Sequence, residues 1–245
     1  MSPAPLILLP PSEGKATGGS RIVGRDRFAS SLEEPRHQVR EALRVALETM
    51  TPERLSHLFG ARGERCGRAI SAATKIIDGE AKVMPAWRRY TGVVWEHLDP
   101  STIPGAARSR ILVPSGLYGV TRSDDEIVDY RLTMLVSLPN IGNLGRFWAG
   151  PVSSVLHDLR GRPTVISLLP REHARVVIPA SVASLIEVQF LAADGGGAAG
   201  HAAKAVKGRF ARHLIDHGID DALAFRFEGW KISRAGDGYV LRAPR

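Results

Sequence analysis

The 245 residues predict a mixed α/β (α+β) fold: one domain over 1–245, with a mixed central sheet, surrounding helices and a mostly helical insertion over residues 33–98. Three observations predict it. Short unbroken apolar runs closed by Pro or Gly, such as Leu6 to Leu9, have the length of buried strands. Other stretches repeat apolar residues three and four apart, the period of amphipathic helices. The two kinds of segment are intermixed without a βαβ rhythm or an internal repeat.

Leu6 to Leu9 exits abruptly at Pro10-Pro11 into a polar loop, residues 12–20. Ser31 is the expected N-cap of a helix to Met50, with Pro35 near its start and Val39, Leu43, Ala46 and Leu47 on its apolar side. Thr51-Pro52-Glu53 opens a second helix through Leu55, Leu58 and Phe59, which the Gly60 to Gly63 turn stops. A third carries Cys66, Ala69, Ile70, Ala73 and Ile77. Strands are expected at Ile111 to Val113, Thr164 to Leu169, Val176 to Ile178 and Ile186 to Leu191, with a helix from Leu144 to Leu159. Gly195-Gly196-Gly197 is expected to open a long helix to His217, and Gly236-Asp237-Gly238 divides two alternating runs that form a terminal hairpin.

With 33 Lys plus Arg against 25 Asp plus Glu, the formal charge is +8. Residues 53–89 and 202–245 contribute +4 each, so the surplus sits in two regions and points to a polyanion-binding face. The single cysteine, Cys66, excludes an intrachain disulfide and a Cys-rich metal site, and fits a reducing, cytoplasmic compartment. No apolar stretch approaches the ~18 residues of a membrane span. A soluble protein with no membrane partner, no cofactor and no metal of its own is expected; a single His213/His217 pair at i,i+4 is no ligand set.

Four segments carry candidate chemistry. Ser12, Glu13 and Lys15 follow a strand, where ligands of α/β sheets bind; the loop is not a phosphate-binding Walker loop, because Ala16 follows Gly14-Lys15 where that motif needs Ser or Thr. Ser115 to Gly119 places Gly116 and Gly119 around Leu117-Tyr118, allowing positive φ or a close backbone approach, and the charges from Arg122 to Arg131 form a dense cluster that suits an ion-pair network. Arg62, Arg65 and Arg68 recur every three residues beside a Gly turn between helices, the layout of a helix-hairpin-helix element that meets a DNA phosphate, or else an ordinary solvated helix face. Lys204, Lys207, Arg209 and Arg212 form a basic stripe opposite Ala203, Val206, Phe210 and Leu214.

The segment SGLYGV (115–120), followed by Asp129-Tyr130-Arg131-Leu132-Thr133-Met134, resembles the YaaA-type peroxide stress protein family. Leu8-Leu9-Pro10-Pro11-Ser12-Glu13-Gly14-Lys15, the tract Tyr90 to Trp95, Phe147-Trp148, Val165 to Leu168 with Glu172, and Ala203 to Gly208 extend the resemblance in order along nearly the whole chain. Thr133 stands where the family carries Glu, His173 where an aromatic is common, and Lys207 where Arg is usual. The resemblance implies an unusual α/β fold, a cytoplasmic peroxide-stress role with limitation of free iron, and binding of double-stranded DNA through a basic cleft and a helix-hairpin-helix element.

Two functional expectations follow. In the first, double-stranded DNA is held by Arg62, Arg65, Arg68, Lys204, Lys207, Arg209 and Arg212. In the second, an enzyme acts on a nucleotide or nucleobase-like small molecule in a cleft formed by Ser12, Glu13, Lys15, Ser115, Tyr118, Tyr130, Arg131 and Glu172, with Lys204 and Lys207. Convergence of these distant residues separates the two.

Overall fold

Leu6–Leu8 forms β1, and all three side chains are buried because this strand is an interior member of a seven-stranded sheet. The computed structural model describes residues 4–21, 26–159, 161–195, 197–198 and 200–244. After β1 come three helices, α1 (Ala29–Thr49), α2 (Pro52–Phe59) and α3 (Glu64–Ile77). The strand β2 (Val83–Pro85) then leads to the short helices α4 (Ala86–Arg89), α5 (Val93–Leu98) and α6 (Gly105–Arg108). β3 (Ile111–Ser115) turns back into β4 (Gly119–Arg122), and β5 (Glu126–Val128) pairs antiparallel with β2. β6 (Ser137–Leu138) and β7 (Gly142–Asn143) form a minimal hairpin before α7 (Leu144–His157). β8 (Val165–Ser167), α8 (Arg171–Ala174), β9 (Leu185–Leu191) and α9 (Ala203–His217) follow, and β10 (Lys231–Ala235) with β11 (Gly238–Arg242) makes the expected hairpin.

The sheet order is β10-β11-β9-β8-β1-β3-β4. β1 is parallel to both neighbours, with Ile7 opposite Ile111 on one side and Ile166 on the other. β9 and β11 continue the parallel run, and β4 and β10 close the edges antiparallel. β1, β3 and β8 are buried on both faces, as a parallel sheet covered by helices requires, so their sequences carry no alternation, whereas β9 and β11 alternate.

Local chemistry fixes the helix ends. Thr51 accepts a hydrogen bond from the Arg54 amide with Pro52 in the first turn, and Gly60 ends α2 at φ 57°. Asn143 caps α7 through the Arg146 amide. α1 begins at Ala29, ahead of the expected Ser31. Its entry is set upstream, where Asp26 accepts from the Phe28 amide and pairs with the buried Arg36; Pro35 therefore lies inside the helix.

Two further expectations are corrected. Val176 to Ile178 is not a strand: its backbone meets the Ser153 hydroxyl, which accepts from the Ile178 amide at 3.0 Å, instead of a neighbouring ladder. Val176 and Val177 are buried all the same, which explains the apolar run. The long helix starts at Ala203, after a single 3₁₀ turn at Gly200–Ala202, and not at the triple glycine. Gly195 and Gly197 belong to a loop tied to Ala192; Gly196 lies outside the described residues. Within the mostly helical stretch 33–98, β2 is the one strand among the described residues.

α1 packs on α3 and α7, and α5 packs on α9. The second contact depends on Gly208, because a Cβ there would collide with the Val94 carbonyl oxygen. Among the described residues, no helix is long and apolar enough to cross a membrane.

Candidate functional site

β8, β1 and β3 are parallel, so the segments leaving their carboxyl ends emerge on one edge of the sheet. The chain leaves β1 toward the β3 side and leaves β8 toward the β9 side. Ligands of α/β sheets usually bind at the strand ends beside such a reversal.

On the β3 side the loop 12–20 is laid along residues 83–90. Lys15 bridges Tyr90, Ser20 bridges Val83, and the Ala16 amide donates to the Arg89 carbonyl. This loop is clamped by Arg89, which is 1% exposed and donates to the carbonyls of Ala16, Gly18, Lys82 and Ile127. The clamp brings Lys15 against two tyrosine rings, with Nζ 4.4 Å from the centre of Tyr130 and 5.5 Å from that of Tyr90. Its hydrogen bond goes to the Ser12 carbonyl oxygen at 2.7 Å. The hydroxyls of Tyr90 and Tyr130 are bonded to each other at 2.8 Å, and the Tyr118 ring stands edge-on to Tyr130 at 6.0 Å.

Burial is the main influence on Lys15, and Arg131 adds to it; together they hold the ammonium's pKa down at about 7 despite Asp129 and Glu13. Asp129 is engaged by Arg131 in an ion pair at 2.5 Å. Burial pushes Tyr130 up to about 12 and Tyr90 well above the usual phenol range, so both stay neutral donors. Ser115 is fully buried, accepts from the Leu117 and Tyr118 amides and touches Tyr130. Gly116 and Gly119 make this turn possible as expected: Gly119 has φ 73° and a Cβ at Gly116 would meet the Leu132 carbonyl oxygen at 2.5 Å. The Ser12 hydroxyl is buried without a hydrogen-bond partner among the described residues, held against Gly92.

On the β8 side a second cluster forms. Burial lowers Lys207 to about 8 and His173 to about 4, with Glu172 opposing the shift in both. Lys207 Nζ lies 4.9 Å from the centre of the Phe190 ring, and His173 Nδ1 is buried without a partner. Gly208 rests on Val94, and Arg212 one turn later donates to the Thr102 hydroxyl at 2.6 Å. α9 therefore runs in the same direction as α5, and Lys204 lies toward Gly92, the end of α5 that abuts Ser12.

The structure thus gathers Ser12, Glu13, Lys15, Ser115, Tyr118, Tyr130 and Arg131 into one cluster, and Glu172, Lys204 and Lys207 into a second on the same sheet edge. The two basic stretches lie on helices that pack against different elements. Arg62, Arg65 and Arg68 are exposed, but α3 begins at Glu64, so Arg62 sits in the turn and not on the helix face; Arg68 pairs with Glu64 at 3.5 Å. Lys204 and Arg209 are exposed on α9, Arg212 is paired with Asp216, and Lys207 is buried, so it leaves the expected solvent stripe. α3 packs on α1 and α2, whereas α9 packs on α5 and β9.

The charge cluster at 122–131 is only partly the expected ion-pair network. Asp129 and Arg131 pair, but Asp125, fully buried, accepts from the backbone amides of Arg122 and Arg27. Sequence reasoning missed Arg89, Tyr90 and Asp129 as site residues. Their signal is weak, since a buried Arg bonded to carbonyls reads as one more surface cation in a chain with many. Among the described residues, no group of three or more His, Cys, Asp or Glu is placed to hold a metal. Cys66 is buried on the apolar side of α3.

A family model described as peroxide stress protein YaaA matches residues 6–235. A UPF0246 protein of Streptomyces coelicolor is 35% identical over 227 residues, which cover 87% of this chain and 84% of the relative. UPF0246 proteins of Corynebacterium efficiens and Ruegeria sp. are 35% and 33% identical over 135 and 146 residues, covering 55% and 54% of this chain and 53% and 58% of the relative.

Proposed function

The chain belongs to the peroxide stress protein YaaA family, and we propose that it serves that response by binding, and acting on, a nucleotide-like small molecule in the crevice at the carboxyl ends of β1, β3 and β8. One observation carries this reading. Lys15, the Tyr90–Tyr130 hydroxyl pair, Ser115 and Arg131 come from four distant segments and meet where packing alone has no need of a half-buried amine. Arg131 and the Lys204 side of the crevice suit an anionic group, and the tyrosine rings suit a flat or sugar-like body.

The test is a thermal-shift and calorimetric titration of the purified chain with adenine and guanine nucleotides. Saturable stabilisation that Lys15→Met and Arg131→Gln both abolish supports the reading. A chain that no nucleotide stabilises defeats it.

The second reading is binding of double-stranded DNA, with limitation of free iron as its cellular outcome. It is favoured by the exposure of Arg62, Arg65 and Arg68 around the turn that joins α2 to α3. Duplex titration at several salt concentrations tests it: replacing the three arginines by Ala flattens the slope of log K against log salt by up to ~3. An unchanged slope removes that turn from the interface.

A further inference from the structure

We propose that Lys15 is a catalytic amine that forms a reversible imine with an aldehyde or ketone bearing an anionic group, seated between the tyrosine rings and the Ser12 hydroxyl. This deepens the small-molecule reading of the crevice and rests on it. The geometry separates Lys15 from a structural lysine in three ways. Its hydrogen bond goes to a backbone carbonyl, not to a carboxylate. Asp129, the acid nearest in sequence to the tyrosine pair, is bound by Arg131. The amine rests on the rings of Tyr90 and Tyr130, whose hydroxyls bond each other and so form a short proton path leading toward Ser115.

The groups facing the amine set its charge. Arg131 and Arg89 oppose the ammonium, Asp129 and Glu13 favour it, and burial, the largest influence, brings the pKa to about 7, so that about half of the amine is neutral at pH 7. An uncharged amine at neutral pH is what carbonyl addition requires. The Nζ lone pair adds to the carbonyl carbon while the C=O π pair moves onto oxygen. That oxygen takes a proton through the Tyr90–Tyr130 pair, the nitrogen loses one, a second proton lets the oxygen leave as water as C=N forms, and the nitrogen then gives up its remaining proton to leave the neutral imine. The balance is amine plus carbonyl to imine plus water, with no oxidant or reductant.

The experiment is reductive trapping. The intact chain is incubated with D-glyceraldehyde 3-phosphate and sodium cyanoborohydride from pH 5 to 10, and adducts on its six lysines are quantified by peptide mass spectrometry. Exposed Lys75 is the internal reference. At pH 7 Lys15 is expected to label at least about tenfold faster than Lys75, because an amine with pKa about 7 is half neutral there. Its labelling midpoint is expected near pH 7, and Arg131→Gln moves that midpoint upward. Labelling of Lys15 no faster than Lys75, or a midpoint near 10, overturns the proposal. The aldehyde is not a nucleotide, so a chain that binds nucleotides yet does not trap it keeps the small-molecule reading and loses the imine.

Discussion

The Tyr90 and Tyr130 hydroxyls lie 2.8 Å apart in the interior, joining the end of α4 to the segment after β5. Both side chains are at most 3% exposed, so water does not substitute when one hydroxyl is removed. Tyr130→Phe leaves the Tyr90 hydroxyl buried and unpaired and is expected to cost about 1–3 kcal/mol in urea unfolding. Tyr90→Phe costs less, because the Tyr130 hydroxyl keeps its hydrogen bond with Ser115, and the double variant costs less than the two losses combined, since it strands neither tyrosine hydroxyl. Strict additivity in that cycle would show that the pair does not act as a unit.

Arg89 holds four carbonyl groups from three segments with one guanidinium. Lysine cannot reproduce the planar fork. Arg89→Lys is expected to lose at least about 2 kcal/mol, the order of a hydrogen bond or two to a charged group, and amide exchange at residues 14–20 should rise more than in β1. Equal exchange increases across both segments would mean that the clamp is not local.

Gly208 and Gly67 are both helical glycines with opposite surroundings. At Gly208 a Cβ meets the backbone of α5, whereas at Gly67 it meets nothing within 4 Å. Gly208→Ala is expected to destabilise by about 1–3 kcal/mol through forced separation of α9 from α5. Gly67→Ala should stabilise by about 0.5–1 kcal/mol through reduced freedom of the unfolded chain. Chemical denaturation of the two variants checks both signs.

Asp125 gives the fold a pH dependence of known sign. Burial raises its carboxyl from 3.8 to about 6, against the pull of two amide hydrogen bonds. Between about pH 4 and 6 the folded chain therefore holds a proton that the unfolded chain has lost, and stability contributed by this group falls as pH rises through that window. Asp125→Asn has no such term. The stability difference, wild type minus variant, is expected to decrease from pH 4 to pH 6.5 and then level off; a flat difference would show that Asp125 ionises normally.

The strands of the sheet interior were legible because burial on both faces leaves an unbroken apolar run, as in Leu6 to Leu8. α2 was legible to its ends, since Thr51, Pro52 and Gly60 act locally. β2 and β5 were not: three residues each, they are strands only because they pair across more than forty positions. Val176 and Val177 misled for the opposite reason, since burial alone made their apolar character necessary. In the crevice, Lys15, Tyr118 and Tyr130 were legible as polar or aromatic residues beside strand ends. Arg89 and the burial of Lys207 were not, because a cation's partners are decided by tertiary packing that local pattern does not encode.

The position of β1 also bears on how the chain is made. β1 sits between β3 and β8, and its second partner begins at residue 165, more than 150 positions further along the chain. At ~5–20 residues per second, roughly 8–30 s pass before that partner exists. During that interval Leu6, Ile7 and Leu8 have one open edge or two, so this apolar strand is a template for wrong pairing until β8 is made.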